Sequence, residues 1–136
     1  MKIAIDTNVL MAGLLKDSIV RKILSSENIS FYIPEHALNE IEKYKNYLRD
    51  KTILSKEEIE EMIDLLLENI EIVPESKIKN NIKEAEDIIE KIDIKDSLFI
   101  ATALAIKSDG ILSFDDHFKK QNKIKVYDIK DLIKLI

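Results

Sequence analysis

Lys2-Ile3-Ala4-Ile5-Asp6-Thr7-Asn8-Val9-Leu10 opens the chain with an apolar run that stops at a carboxylate. The run reads as a short buried strand, and residues 8–15 after it read as helix. A second helical piece covers 18–26, broken from the first near Lys16-Asp17, with Asp17 or Ser18 placed to cap it. The same strand-then-helix order recurs. Phe31-Tyr32-Ile33 is strand-like, and Pro34 suits the first position of a helix reaching about Asp50. On that helix Leu38, Ile41, Tyr44 and Leu48 share one stripe. Ser55-Lys56-Glu57-Glu58 is a capping box opening a helix to about Glu68.

Ile70 to Val73 forms the third strand, followed by Pro74 and a helix from about Ser76 to Lys91. The next helix, about Lys95 to Lys107, has only Thr102 as a polar residue between Leu98 and Ile106, so it is buried on nearly all sides. Ser108-Asp109-Gly110 ends it, with Gly110 as the left-handed cap. Ile111 to Phe114 and Lys123 to Tyr127 are the last strands, and Ile129 to Ile136 is a terminal helix. Strands alternating with helices imply an α/β fold whose parallel sheet is covered on both faces.

The 136 residues fit a single domain, 1–136, able to bury one core. With 46% hydrophobic and 35% charged residues the chain is globular rather than disordered. Two glycines and two prolines leave little room for long linkers. The absence of cysteine removes disulfides and thiolate metal sites. No run approaches the ~20 apolar residues of a membrane span. A charge interrupts the first apolar residues, which is unlike a signal peptide, so a cytoplasmic, non-membrane protein is expected. The net charge of −5 argues against a broad basic footprint for nucleic acid, although Lys119, Lys120, Lys123 and Lys125 form a local basic group.

Four carboxylates stand where such a sheet opens its crevice. Asp6 ends the first strand, Asp115 follows the run Ile111-Leu112-Ser113-Phe114, Glu40 lies in the helix after the second strand, and Asp96 opens the buried helix. In parallel α/β sheets ligands bind beyond the carboxyl ends of the strands. Acids collected there, with no cysteine and only His36 and His117 as imidazoles, suggest oxygen ligands for Mg²⁺ or Mn²⁺. Each acid also has a plainer reading: Asp6 as a helix cap, Glu40 as a surface glutamate, and Asp93 and Asp96 as partners of the helix dipole. Glu40 falls at the margin of its helix's apolar stripe, about 100° from Ile41, from which it can reach a crevice. Asn8 is placed to orient the acids through its amide, or to make a simple Asx-turn. No glycine-rich phosphate loop is present, so nucleotide-triphosphatase readings fail, and no Gly-x-Ser-x-Gly elbow or Cys/His pair supports covalent catalysis by serine or cysteine.

Asp-Thr-Asn-Val-Leu at 6–10, Leu-Asn-Glu-Ile at 38–41, Asp-Ser-Leu-Phe-Ile-Ala-Thr-Ala-Leu-Ala at 96–105 and Ser-Phe-Asp-Asp-His-Phe at 113–118 resemble, in order, the signature of PIN domains. These are metal-dependent endoribonucleases, and many small prokaryotic ones are VapC-type toxins. The resemblance implies a three-layer α/β/α sandwich around a central, about five-stranded parallel sheet. It implies Asp6, Glu40, Asp96 and Asp115 as catalytic metal ligands for Mg²⁺ or Mn²⁺, directly or through water. Asp93 would assist, and Ser113 would hold a metal-bound water or a phosphate; many relatives carry Thr there. Within Asp115-Asp116 the family pattern selects Asp115.

The expected function is metal-dependent endoribonucleolytic hydrolysis of RNA by an activated water. Direct attack by water leaves a 5′-phosphate and a 3′-hydroxyl. An antitoxin partner and a homodimer are also expected, with Leu65-Leu66-Leu67 a candidate contact. Two other classes compete. One is a non-catalytic α/β RNA-binding or regulatory module, which all four acids being present does not favour. The other is a haloacid-dehalogenase-like phosphatase using Asp6 as nucleophile, which would want a second acid where Asn8 stands.

Overall fold

The computed structural model describes residues 1–15, 18–89 and 94–136. Its strands are β1 (Lys2–Ile5), β2 (Ser30–Pro34), β3 (Ile70–Val73), β4 (Gly110–Leu112) and β5 (Val126–Tyr127). They form one sheet in the order β3-β2-β1-β4-β5, and every pairing is parallel. The helices are α1 (Thr7–Leu15), α2 (Ser18–Leu24), α3 (His36–Lys51), α4 (Lys56–Leu67), α5 (Glu75–Ile78), α6 (Ile82–Ile88), α7 (Ile94–Ala105) and α8 (Ile129–Ile133). This is the expected α/β sandwich with a five-stranded parallel sheet.

Alternation along the strands builds two cores. Ile3, Ile5, Phe31, Ile33 and Leu112 point to the side covered by α1 to α4 and α8. Ala4, Val73 and Ile111 point to the side covered by α5 to α7. The chain winds from β1 outward through β2 to β3, then crosses back over the sheet to enter β4 on the other side of β1. That reversal splays the connections leaving β1 and β4 to opposite faces and opens a crevice at their carboxyl ends.

Ser55 and Glu58 make the expected reciprocal capping box of α4. Several local expectations are corrected. The left-handed residue ending α7 is Lys107 (φ 53°), not Gly110. Ser108 N–H reaches the Ala103 carbonyl at 3.0 Å and Lys107 N–H the Leu104 carbonyl at 3.1 Å, which closes the helix as a Schellman motif. Gly110 begins β4 instead, where a Cβ would lie 2.5 Å from a Tyr127 ring carbon and 2.6 Å from the Lys125 carbonyl. Close packing of β5, not backbone handedness, is what glycine permits there.

The expected helix from 76 is interrupted by a 3₁₀ turn at Lys79–Asn81, where Asn80 and Asn81 are weak helix formers; its expected end at Lys91 falls outside the described residues. β5 is shorter than expected because the Gln121 side chain takes the N–H groups of Lys123 and Ile124 and donates to the Phe118 and Ile124 carbonyls. Ile41 and Leu48 are buried as expected, but Tyr44 is 43% exposed. Of the three consecutive leucines, Leu66 is buried and Leu65 is exposed. Among the described residues, no helix is long and apolar enough to cross a membrane.

Candidate active site

The crevice is built first by register. Ile5 of β1 pairs with Leu112 of β4, so Asp6 and Ser113 leave neighbouring strands side by side. The Ser113 hydroxyl donates to Asp6 Oδ2 at 3.0 Å. Asp6 Oδ1 accepts the Val9 N–H at 3.1 Å, so this carboxylate also caps α1. The Ser113 oxygen in turn accepts the Asp115 N–H at 3.1 Å, and Asp115 Oδ1 accepts the His117 N–H at 2.9 Å, capping the 3₁₀ turn Asp116–Lys120. One buried hydroxyl thus ties the end of β1 to the start of the loop that carries Asp115.

Burial pushes the Asp6 carboxyl above its ordinary value. The Val9 amide and the Ser113 hydroxyl pull it down, and the charges on Asp115 and Asp96 push it up again. An acid kept here against both burial and like charge is costly unless something positive comes to it.

The opposite wall is α3. Glu40, 13% exposed, accepts the Thr7 hydroxyl at 2.9 Å through Oε1 and pairs with Lys95 Nζ at 2.9 Å through Oε2. His36 Nε2 lies 3.8 Å from Glu40 Oε1, and His117 Nε2 lies 3.9 Å from Asp96 Oδ2. Both imidazole nitrogens are buried and without a hydrogen bond. Asp6, Asn8, Glu40, Asp96 and Asp115 line one open cleft of about 410 Å³. Asp93 lies outside the described residues. Neither Thr7 nor Lys95 was marked by the sequence as a partner of Glu40; Thr7 carried a faint signal by following Asp6, and Lys95 carried none.

The donors in the cleft are hard oxygens, which suits Mg²⁺ or Mn²⁺ in type. Among the described residues, no three carboxylate or imidazole groups stand close enough together to enclose an ion in this arrangement. Glu40 is engaged by an ammonium, and the three aspartates share a repulsive field rather than a common centre. The donor set therefore fits a divalent cation in chemistry, while in this arrangement Glu40 is paired with Lys95.

A parallel α/β sandwich with acids around a switch-point cleft defines an α/β fold with its ligand-binding crevice at the carboxyl ends of the strands. The chain belongs to the PIN domain family, whose model matches residues 4–123. PIN domains are nucleases as a family and generally use divalent metal ions. Among solved structures, the chain is similar to the VapBC2 complex of Rickettsia felis bound to a DNA fragment from its promoter. That match has 19% identity and a TM-score of 0.73 over 94% of this chain and 98% of the other. It is also similar to a toxin–antitoxin complex of Klebsiella pneumoniae, with 16% identity and a TM-score of 0.62 over 84% of this chain and 87% of the other. No curated protein matches the chain significantly.

Proposed function

We propose that the chain is a divalent-metal-dependent endoribonuclease, with Asp6, Glu40, Asp96 and Asp115 as the ligands of Mg²⁺ or Mn²⁺. The observation that carries this reading is Asp6: a carboxylate at the switch point, raised by burial and by the charges of Asp115 and Asp96. A divalent ion there neutralises the acids and stabilises charge on the attacked phosphodiester and the leaving oxygen.

The chain's own groups set the stage for that ion. Ser113 and the Val9 amide hold the Asp6 carboxylate in one orientation. Thr7 does the same for Glu40. Asp115 is held by the His117 amide and rides on the loop that Ser113 anchors. Asn8 is exposed at the cleft, where its amide can reach a substrate or a hydrated ion; Ser113 acts by orienting Asp6. Asp93, three residues before Asp96 in the sequence, is proposed to assist. No side chain serves as a nucleophile, so water attacks directly.

The same reading makes the chain the toxin of a toxin–antitoxin pair, since the similar structures are described as such complexes. Ile53 and Leu65 are exposed apolar residues available to an antitoxin or to a second copy in a homodimer.

The test is incubation of the purified chain with total RNA and Mn²⁺, with and without excess EDTA. Cleavage that needs the metal and leaves 5′-phosphates is expected. Cutting that persists in EDTA, or its complete absence with Mn²⁺, would overturn the reading.

A further inference from the structure

A second feature of α3 leads away from the acids. Glu40, Tyr44, Tyr47 and Lys51 follow one another at four, three and four residues, a spacing that places them in one stripe about 16 Å long. The stripe starts inside the cleft, where Glu40 and Tyr44 both form the wall. It continues along an open helix face, with Tyr47 46% exposed. The two tyrosine rings meet edge to face, their centroids 6.4 Å apart. Lys51 Nζ stands over the Tyr47 ring, 5.6 Å from its centroid.

Two exposed tyrosines on one helix face call for an occupant. Core packing does not explain them, because Ile41 and Leu48 on the neighbouring face carry that contact. A protein partner would find a more apolar seat elsewhere, at the exposed Ile53 and Leu65. What sets this stripe apart is a pair of aromatic rings followed by a cation, in line with the acid cleft. Single-stranded nucleic acid is bound by this combination, with bases stacked on rings and the backbone held by Lys or Arg.

The geometry points to the Tyr44–Tyr47–Lys51 stripe as a subsite for unpaired RNA leaving the cleft. An unpaired base stacks on Tyr44 at the rim, and Lys51, braced over Tyr47, takes a backbone phosphate further along. The inference rests on the nuclease reading and adds the place on this chain where unpaired RNA beside the scissile bond is held. Inside a duplex every base is stacked on both faces and has no free face for Tyr44, so the stripe selects against paired segments. The stripe also supplies local positive charge and stacking to a chain whose net charge is −5.

The experiment compares Tyr44→Ala, Tyr44→Phe, Tyr44→Leu and Lys51→Ala with the parent. Affinity is read by fluorescence anisotropy in EDTA, where metal-dependent cleavage does not run. The probes are a short labelled oligoadenylate and a blunt RNA duplex of equal length. Tyr44→Ala and Tyr44→Leu should weaken single-strand binding about tenfold, while Tyr44→Phe retains it, because stacking needs a π face and not merely bulk. Duplex binding should be unchanged in all three. Lys51→Ala should reduce the salt dependence of single-strand binding by roughly one phosphate contact.

Equal single-strand affinity in parent and Tyr44→Ala, or a Tyr44→Leu variant that binds as well as Tyr44→Phe, would overturn the subsite. So would a Tyr44→Ala variant that loses self-association and keeps its RNA affinity, since the stripe would then be a protein interface. Cleavage of total RNA by the parent is measured alongside. If the parent cuts and only the Tyr44 result fails, the nuclease reading stands and the subsite falls. If the parent does not cut, both fall.

Discussion

The two walls of the cleft treat their acids in opposite ways. On the sheet wall, Asp6 sits between a hydroxyl and an amide with two more carboxylates in electrostatic reach, and its carboxyl is held above the ordinary range. On the helix wall, Glu40 is likewise partly buried, yet it has both a hydroxyl and an ammonium in contact. Among the described residues, one acid lacks a countercharge and the other has one. Burial by itself therefore does not mark the expected cation position; burial without a compensating cation does. In the proposed site the sheet wall is where a divalent ion would gain most, and the helix wall is where it would displace the Lys95 ammonium.

The largest effect should come from removing charge on the sheet wall. Asp115→Asn or Asp6→Asn should lower RNA cleavage by roughly a hundredfold or more, measured under single-turnover conditions with Mn²⁺. Each change keeps the shape and the acceptor oxygen, so the far-ultraviolet circular dichroism should not alter. Full activity in Asp6→Asn would erase the contrast between the two walls.

Metal response comes next. Mn²⁺ at a hundredfold excess over its dissociation constant should stabilise the parent by about 2.7 kcal/mol, read from denaturant melts. Asp6→Asn, Asp96→Asn and Asp115→Asn should respond much less. An equal shift in all four proteins would mean that the aspartates act only as helix caps.

Lys95→Met sharpens the comparison from the other wall. Loss of this partly exposed ion pair should cost the metal-free protein about 1 kcal/mol or less. It should also tighten Mn²⁺ binding severalfold, because Glu40 no longer exchanges an ammonium for the ion. Titration calorimetry on parent and variant reads both sign and size; weaker Mn²⁺ binding in the variant would make Lys95 a support of the site and not a competitor.

The smallest expected effect is the pH dependence of the metal-free protein. Asp6 has a folded value above its ordinary 3.8, so the native state binds this proton more tightly than the unfolded chain does. Its contribution to stability is fully present below about pH 3.8 and is lost as pH rises through the folded value. The stability of the parent relative to Asp6→Asn should therefore fall across the acidic range. A relative stability that rises with pH would mean that the serine and amide outweigh burial.

Much of the fold was legible because its signals are local. Apolar runs of strand length at 2–5, 31–33, 70–73 and 111–114, each followed by helix or turn residues, announce a parallel α/β sheet, although the last of these strands proves to be Gly110–Leu112. The Ser55–Glu58 box needs only four consecutive residues to form, and it formed as read. The misread positions depend on partners far along the chain. Gly110 is small because Tyr127 packs against it, and Gln121 shortens β5 by satisfying amides that the sheet would otherwise take. Tyr44 fits the apolar stripe by spacing, but the helix is rotated so that the cleft leaves it open.

For the site the division follows the same physics. The sequence by itself determined which acids are available, that no thiol competes with them, and that Asp6 and Asp115 each follow a strand of a parallel sheet. Those are matters of residue identity and of short-range periodicity. Only the tertiary structure decided that β1 and β4 are neighbours, which brings Ser113 onto Asp6 across more than a hundred residues of chain, at |i−j| = 107. It also decided that Lys95 reaches Glu40 and that Tyr44 faces the cleft. Strand order and helix rotation are set by how two cores pack at once, and no local window of sequence contains that information.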